Sequence, residues 1–307
     1  MLLALLACSG SPEPTPKPTD STLWDSTLWD STLGEVGLCP ATGTRPRPQA
    51  VPTGVEGAPP WPAGPQTVSL GALEDPSALE HAPRSGSVDY GLDMDQERYD
   101  LYIPPDYDGS EPYGLLVHID AGNAGGIRGP WIPVLDEQKV IWLGPQGAGN
   151  NVDVDLRLGK AALGAARMLE LFNIDTERVY MTGTSGGGRA GTMTALLHPG
   201  LFTGAMPVCG SAWHQEVEQA YETQEPDSHY EFWGEWFFAD VDGQTYADWY
   251  SGFDQRFALM TSYDDFREGD LQNIYHFGMA GEVPVRLLEG PGDHCATDAQ
   301  QATDALA

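Results

Sequence analysis

Gly183-Thr184-Ser185-Gly186-Gly187 sets one hydroxyl between glycines at the spacing G-x-S-x-G. The run Val179-Tyr180-Met181-Thr182 before it is apolar, β-branched and aromatic, and Ala190–Leu197 after it reads as a helix. Strand, sharp turn and helix with a serine at the apex form the nucleophile elbow. With 37 Gly in the chain a chance match is easy, so this setting carries the reading rather than the pattern. A serine hydroxyl is a weak nucleophile until a base takes its proton, and a third group must hold the base.

In the elbow arrangement those groups follow in the order serine, acid, histidine. His198, His214, His229, His276 and His294 all follow Ser185. His198 ends the elbow helix beside Pro199, His214 and His229 fall in an aromatic stretch, and His276 falls in a helical pattern. His294 follows a strand and the turn Gly290-Pro291-Gly292. That is the carboxyl end of a strand, where open α/β sheets gather their chemistry. The acid is expected after the strand Phe257–Thr261, where Asp264 and Asp265 compete and Asp265 is preferred. A tetrahedral oxyanion also needs donors. The Gly186 N–H is one, and Ala121 or Gly122 supplies the other.

The elements that must position these groups alternate between strand and helix. Ser87–Gly91, Arg98–Ile103, Gly114–Ile119, Val140–Leu143 and Leu201–Gly210 read as strands. Gly114–Ile119 is almost wholly apolar, as in a strand buried on both faces. Leu158, Ala162, Ala165, Ala166, Leu169 and Phe172 share one helical face. A helix near Asp270–Met279 and a strand over Val283–Leu288 close the pattern. The expectation is an α/β fold, a mostly parallel sheet with helices on both faces, over residues 67–307.

With these residues placed, the chain resembles the α/β-hydrolase superfamily. Within it, the chain is similar to the secreted polyhydroxybutyrate-depolymerase and feruloyl-esterase-like group. The likeness spans roughly Tyr99 to His294. It rests on Tyr99-Asp100-Leu101-Tyr102-Ile103-Pro104, on Ile174 through Gly187, on Asp264-Asp265-Phe266-Arg267 and on Pro291-Gly292-Asp293-His294. The family's His-Gly before the oxyanion loop is replaced by Asp120-Ala121. The resemblance implies a serine carboxylic-ester hydrolase that uses Ser185, Asp265 and His294, with no metal and no cofactor. A serine peptidase on the same scaffold and a non-enzymatic surface binding module are the competing readings.

Composition limits the partners. The chain has 307 residues, with 15 Lys+Arg against 45 Asp+Glu and a formal net charge of -30. So acidic a surface argues against nucleic acid and anionic membrane as partners, and the resemblance implies a small-molecule or polymeric ester as substrate.

Residues 1–8 are apolar and end in Leu5-Leu6-Ala7-Cys8, similar to a bacterial lipoprotein signal with Cys8 as the lipidated residue. Residues 9–66 read as a tether, with Pro12, Pro14, Pro16 and Pro18 alternating and Asp20-Ser21-Thr22-Leu23-Trp24 repeated at once. The expected location is therefore the cell envelope or the extracellular space, with membrane contact only through the lipid.

Residues 211–252 crowd in Trp213, Tyr221, Tyr230, Trp233, Trp236 and Trp249, and read as a lid or as a local core. Cys209 and Cys295 both follow strands near the proposed site. A disulfide between them is the expectation for an exported chain, against two small buried thiols.

Overall fold

The computed structural model describes residues 61–74, 79, 90–212, 255–280 and 284–307. Eight strands among them form one sheet in the order β1-β2-β4-β3-β5-β6-β7-β8. They are β1 Gly64–Val68, β2 Tyr99–Ile103, β3 Tyr113–Ile119, β4 Val140–Pro145, β5 Ile174–Thr184, β6 Gly204–Val208, β7 Arg256–Ser262 and β8 Val285–Gly290. β1 and β2 run antiparallel to their neighbours, and every pairing from β4 onward is parallel. The helices are α1 Trp131–Gln138, α2 Val154–Leu171, α3 Gly186–Leu197, α4 Glu268–Ala280 and α5 Ala299–Leu306.

Strand alternation sorts the core into two layers. Leu115, Val117 and Ile119 of β3 join Leu158, Ala161 and Ala165 of α2 and Met193 and Leu196 of α3 on one side. Leu116, with Trp142, Met206 and Met260, faces Trp131, Val134 and Leu135 of α1 and Ala302 of α5 on the other. All seven residues of β3 are buried, so its sequence has no polar face to show.

Some boundaries differ from the sequence expectations. The sheet starts at Gly64 rather than 67. Pro65 is tolerated there because an edge strand does not need its missing N–H. The strand expected over Ser87–Gly91 does not form at Tyr90 and Gly91, and residues 87–89 lie outside the described residues. Gly91 has φ 65, which breaks an extended run, and Tyr90 lies against Gly159 with its hydroxyl 2.7 Å from His198 Nε2. β6 is shorter than Leu201–Gly210, because Leu201 still closes the turn after α3 by donating to the His198 carbonyl. Cys8, the tether up to residue 60 and nearly all of the aromatic stretch, with His214 and His229, lie outside the described residues. Among the described residues no helix is long and apolar enough to cross a membrane.

Candidate active site

β5 delivers the serine. Between Tyr113 and Leu115 of β3 its register slips: β3 advances two residues while β5 advances five, from Ile174 to Val179. The regular stretch from Val179 then runs straight to Thr184. Ser185 follows at φ 55 and ψ -122, an unfavourable region for a residue with a Cβ. Its N–H donates to the Val208 carbonyl at 2.9 Å, so β6 holds the turn in place. The flanking glycines have a steric cause. A Cβ on Gly183 would collide with the Gly187 carbonyl, and one on Gly187 would collide with the Ile119 carbonyl. Any larger residue at either position would part the elbow from β3.

His294 comes from the loop between β8 and α5. Its Nδ1 lies 2.8 Å from Asp265 Oδ1 and its Nε2 lies 3.3 Å from Ser185 Oγ. With the proton on Nδ1 donated to the carboxylate, Nε2 is left to accept the serine proton. The loops after β7 and β8 are stitched together. Tyr263 N–H donates to the Gly290 carbonyl at 2.9 Å, Asp264 N–H to the Gly292 carbonyl at 3.1 Å, and Ser262 Oγ to the Asp293 carbonyl at 2.5 Å. The same turn exposes Asp264 and buries Asp265, whose side chain is 0% exposed against 32% for His294. Burial pushes the Asp265 carboxyl upward. Hydrogen bonds from His294 and from the Arg267 and Cys295 N–H groups outweigh it and leave the pKa below the ordinary 3.8. The acid is therefore an anion whose lone pairs are already directed.

A disulfide joins Cys209, after β6, to Cys295, beside the histidine. Cys209 Sγ also receives the Ser185 N–H at 3.2 Å and lies 4.0 Å from His294 Nε2. The ligating atoms of Cys209, Asp265, His294 and Cys295 fall within 4.8 Å of one another. The two sulfurs are bonded to each other, so thiolate ligation of a metal belongs to the reduced chain.

The Gly186 N–H opens α3 beside the nucleophile, where helix N-terminal N–H groups lack intrahelical partners. Of the two residues expected to supply the other donor, Gly122 gives its N–H to Asp120 Oδ1 at 2.7 Å. The Ala121 N–H has no partner among the described residues. Asp120 anchors this loop. Its Oδ2 receives Arg128 Nη2 at 2.5 Å and Thr184 Oγ1 at 3.4 Å, and lies 3.4 Å from His118 Nε2. Burial raises the Asp120 carboxyl, but the bonds from His118, Arg128 and Gly122 take it far below the usual range. His118 is buried, stacked on Trp142 at 4.6 Å, and burial lowers its pKa from the ordinary 6.5.

The sequence reading left out two neighbours of the site. Phe266, 75% exposed, lies with its ring centroid 4.2 Å from that of His294. Asn150, on the loop after β4, packs against Gly186. Nothing in the local pattern marks Asn150, because its neighbour in space is far along the chain. His198 does not join the site: it lies at the far end of α3, against Tyr90.

No protein-family model and no curated protein matches this sequence. Among solved structures it is similar to the S-formylglutathione hydrolase FrmB of Staphylococcus aureus, at 16% identity over 68% of this chain and 89% of that one, with a TM-score of 0.45. It is also similar to Est1E of Butyrivibrio proteoclasticus, at 16% identity over 68% and 91%, with a TM-score of 0.48. A third is FphF, a fluorophosphonate-binding serine hydrolase of Staphylococcus aureus, at 15% identity over 80% and 95%, with a TM-score of 0.45. The chain's own strand order, parallel sheet and strand–turn–helix at Ser185 give it the α/β-hydrolase fold.

Proposed function

We propose that this protein is a serine carboxylic-ester hydrolase. The observation that carries the proposal is the continuous chain from Ser185 Oγ through both nitrogens of His294 to the Asp265 carboxylate. Ser185 Oγ attacks the ester carbonyl carbon while His294 Nε2 takes its proton. The carbonyl π pair moves to oxygen, which the N–H groups of Gly186 and Ala121 receive. The tetrahedral intermediate collapses, the C–O bond to the alcohol breaks, and the imidazolium returns its proton to the leaving oxygen. Water then repeats the sequence on the acyl-enzyme and releases the acid.

Purified protein is expected to hydrolyse short-chain nitrophenyl esters, and Ser185→Ala to lower kcat by at least ~10³-fold. Equal rates in the two proteins would end the proposal. Cleavage of peptides with no ester turnover would replace it with a peptidase. We extend the proposal to an exported location with lipid on Cys8. The Cys209–Cys295 disulfide favours an oxidising compartment. Mass spectrometry of the mature N-terminus tests the lipid.

A further inference from the structure

We propose that the side-chain amide of Asn150 is a third donor to the oxyanion formed at Ser185. The inference rests on the hydrolase reading above and adds a residue to it.

Asn150 sits on the loop that leaves β4, and this loop is fastened to the strand of chain carrying Ala121. Gly147 N–H donates to the Asn123 carbonyl at 2.8 Å, Gly149 N–H to Asn123 Oδ1 at 3.1 Å, and Asn150 N–H to the Ala121 carbonyl at 2.9 Å. From beneath, the buried Arg157 donates Nε–H to the Ala148 carbonyl at 2.8 Å. The backbone of residues 147–150 is thus fixed against the segment that offers one of the two main-chain donors.

The other donor belongs to Gly186, and here the three glycines after the nucleophile separate. A Cβ on Gly187 would strike the backbone of Ile119, and one on Gly188 would strike the backbone of Gly210. The three atoms nearest to a Cβ on Gly186 all belong to the Asn150 side-chain amide, with Oδ1 the closest and Cγ and Nδ2 each 2.8 Å away. The missing side chain at position 186 makes the room that the Asn150 amide fills. That amide therefore touches the residue with the first donor, and the Asn150 backbone N–H ties its residue to the one with the second.

Among the described residues nothing else uses this amide. Asn150 is exposed, and its side chain has no hydrogen-bond partner among the described residues. A half-turn about its terminal torsion exchanges Oδ1 and Nδ2, so the NH₂ end can take the place beside Gly186 that Oδ1 holds. An amide suits the task. It carries a fixed dipole, it does not titrate, and it does not compete with His294 for the serine proton. A donor that meets the oxygen only once charge has developed lowers the barrier without tightening substrate binding.

The test uses the full chain. Asn150→Ala and Asn150→Asp are assayed on a nitrophenyl ester and with a fluorophosphonate probe, whose phosphonyl oxygen occupies the oxyanion position. The expected result is a kcat about 10²-fold lower in both, with KM within about threefold and labelling slowed in parallel. Gly186→Ala, which displaces the amide, is expected to lower kcat in the wild-type background and to add little in Asn150→Ala. A kcat for Asn150→Ala within about twofold of wild type, or a loss confined to KM, overturns the inference. The two proposals fail differently. A wild-type protein that neither turns over esters nor takes the probe removes the hydrolase reading and the third donor together. An active wild type with an indifferent Asn150→Ala removes the third donor alone.

Discussion

Asp264 and Asp265 are adjacent, chemically identical and separated in role by a single turn of backbone. Asp265 is buried and receives His294 and two N–H groups, while Asp264 faces water. Asp265→Asn keeps the shape but favours the wrong imidazole tautomer, so its kcat is expected to fall about 10⁴-fold. Asp264→Asn is expected to stay within about twofold of wild type on the same ester, since exposed substitutions away from the chemistry change little. At this scale much was legible. Ser185 was marked by a motif with a steric cause, and His294 by chain order and its place after a strand. The preference for Asp265 over Asp264 had no local pattern to decide it, and the turn that buries one and exposes the other supplies the reason. Asn150 was not legible as part of the site, because what matters about it is contact across loops that no local pattern encodes.

Between elements, the disulfide is the strongest tie. It links the chain after β6 to the residue following His294 across a separation of 86 residues. In the loop-entropy account such a link stabilises the fold by about 4.5 kcal/mol. The double variant Cys209→Ser/Cys295→Ser is expected to melt several degrees lower, read by circular dichroism, and to lose kcat as the histidine loop loosens. The buried strands and α2 could be read from their apolar period. Three elements could not. β1 was hidden in proline-rich sequence, and α1 carries Pro133 inside a short amphipathic run. α5 did leave a signal: Asp298 and Gln301 form a capping box, with the Asp298 side chain accepting the Gln301 N–H at 2.8 Å. The box begins four residues after His294 and marks a helix start.

For the molecule as a whole, a net charge of -30 means the folded state repels itself. Melting temperature is expected to rise between about 20 mM and about 500 mM sodium chloride, as the screening length shortens. A melting temperature that falls over this range contradicts that account. Acid acts through particular groups. His118 is held neutral with its pKa below 6.5, so the unfolded chain takes up that proton first. Stability is therefore full above about pH 6.5 and falls as pH drops towards the folded value. Asp120 and Asp265 lie below their ordinary 3.8, so their share is present above about pH 4 and is lost below it. Melting curves at about 0.5 M salt, where self-repulsion is muted, are expected to show both losses, and His118→Asn to flatten the upper one.

The loop that carries His294 is held at β8, at the Asp298 cap of α5 and through Cys295 in between. A loop tied at these three points holds the His294 ring against Asp265. On the proposed hydrolase reading, Ser185, His294 and Asp265 are already aligned before any guest arrives, so crystals with and without a bound phosphonate are expected to superpose at this imidazole.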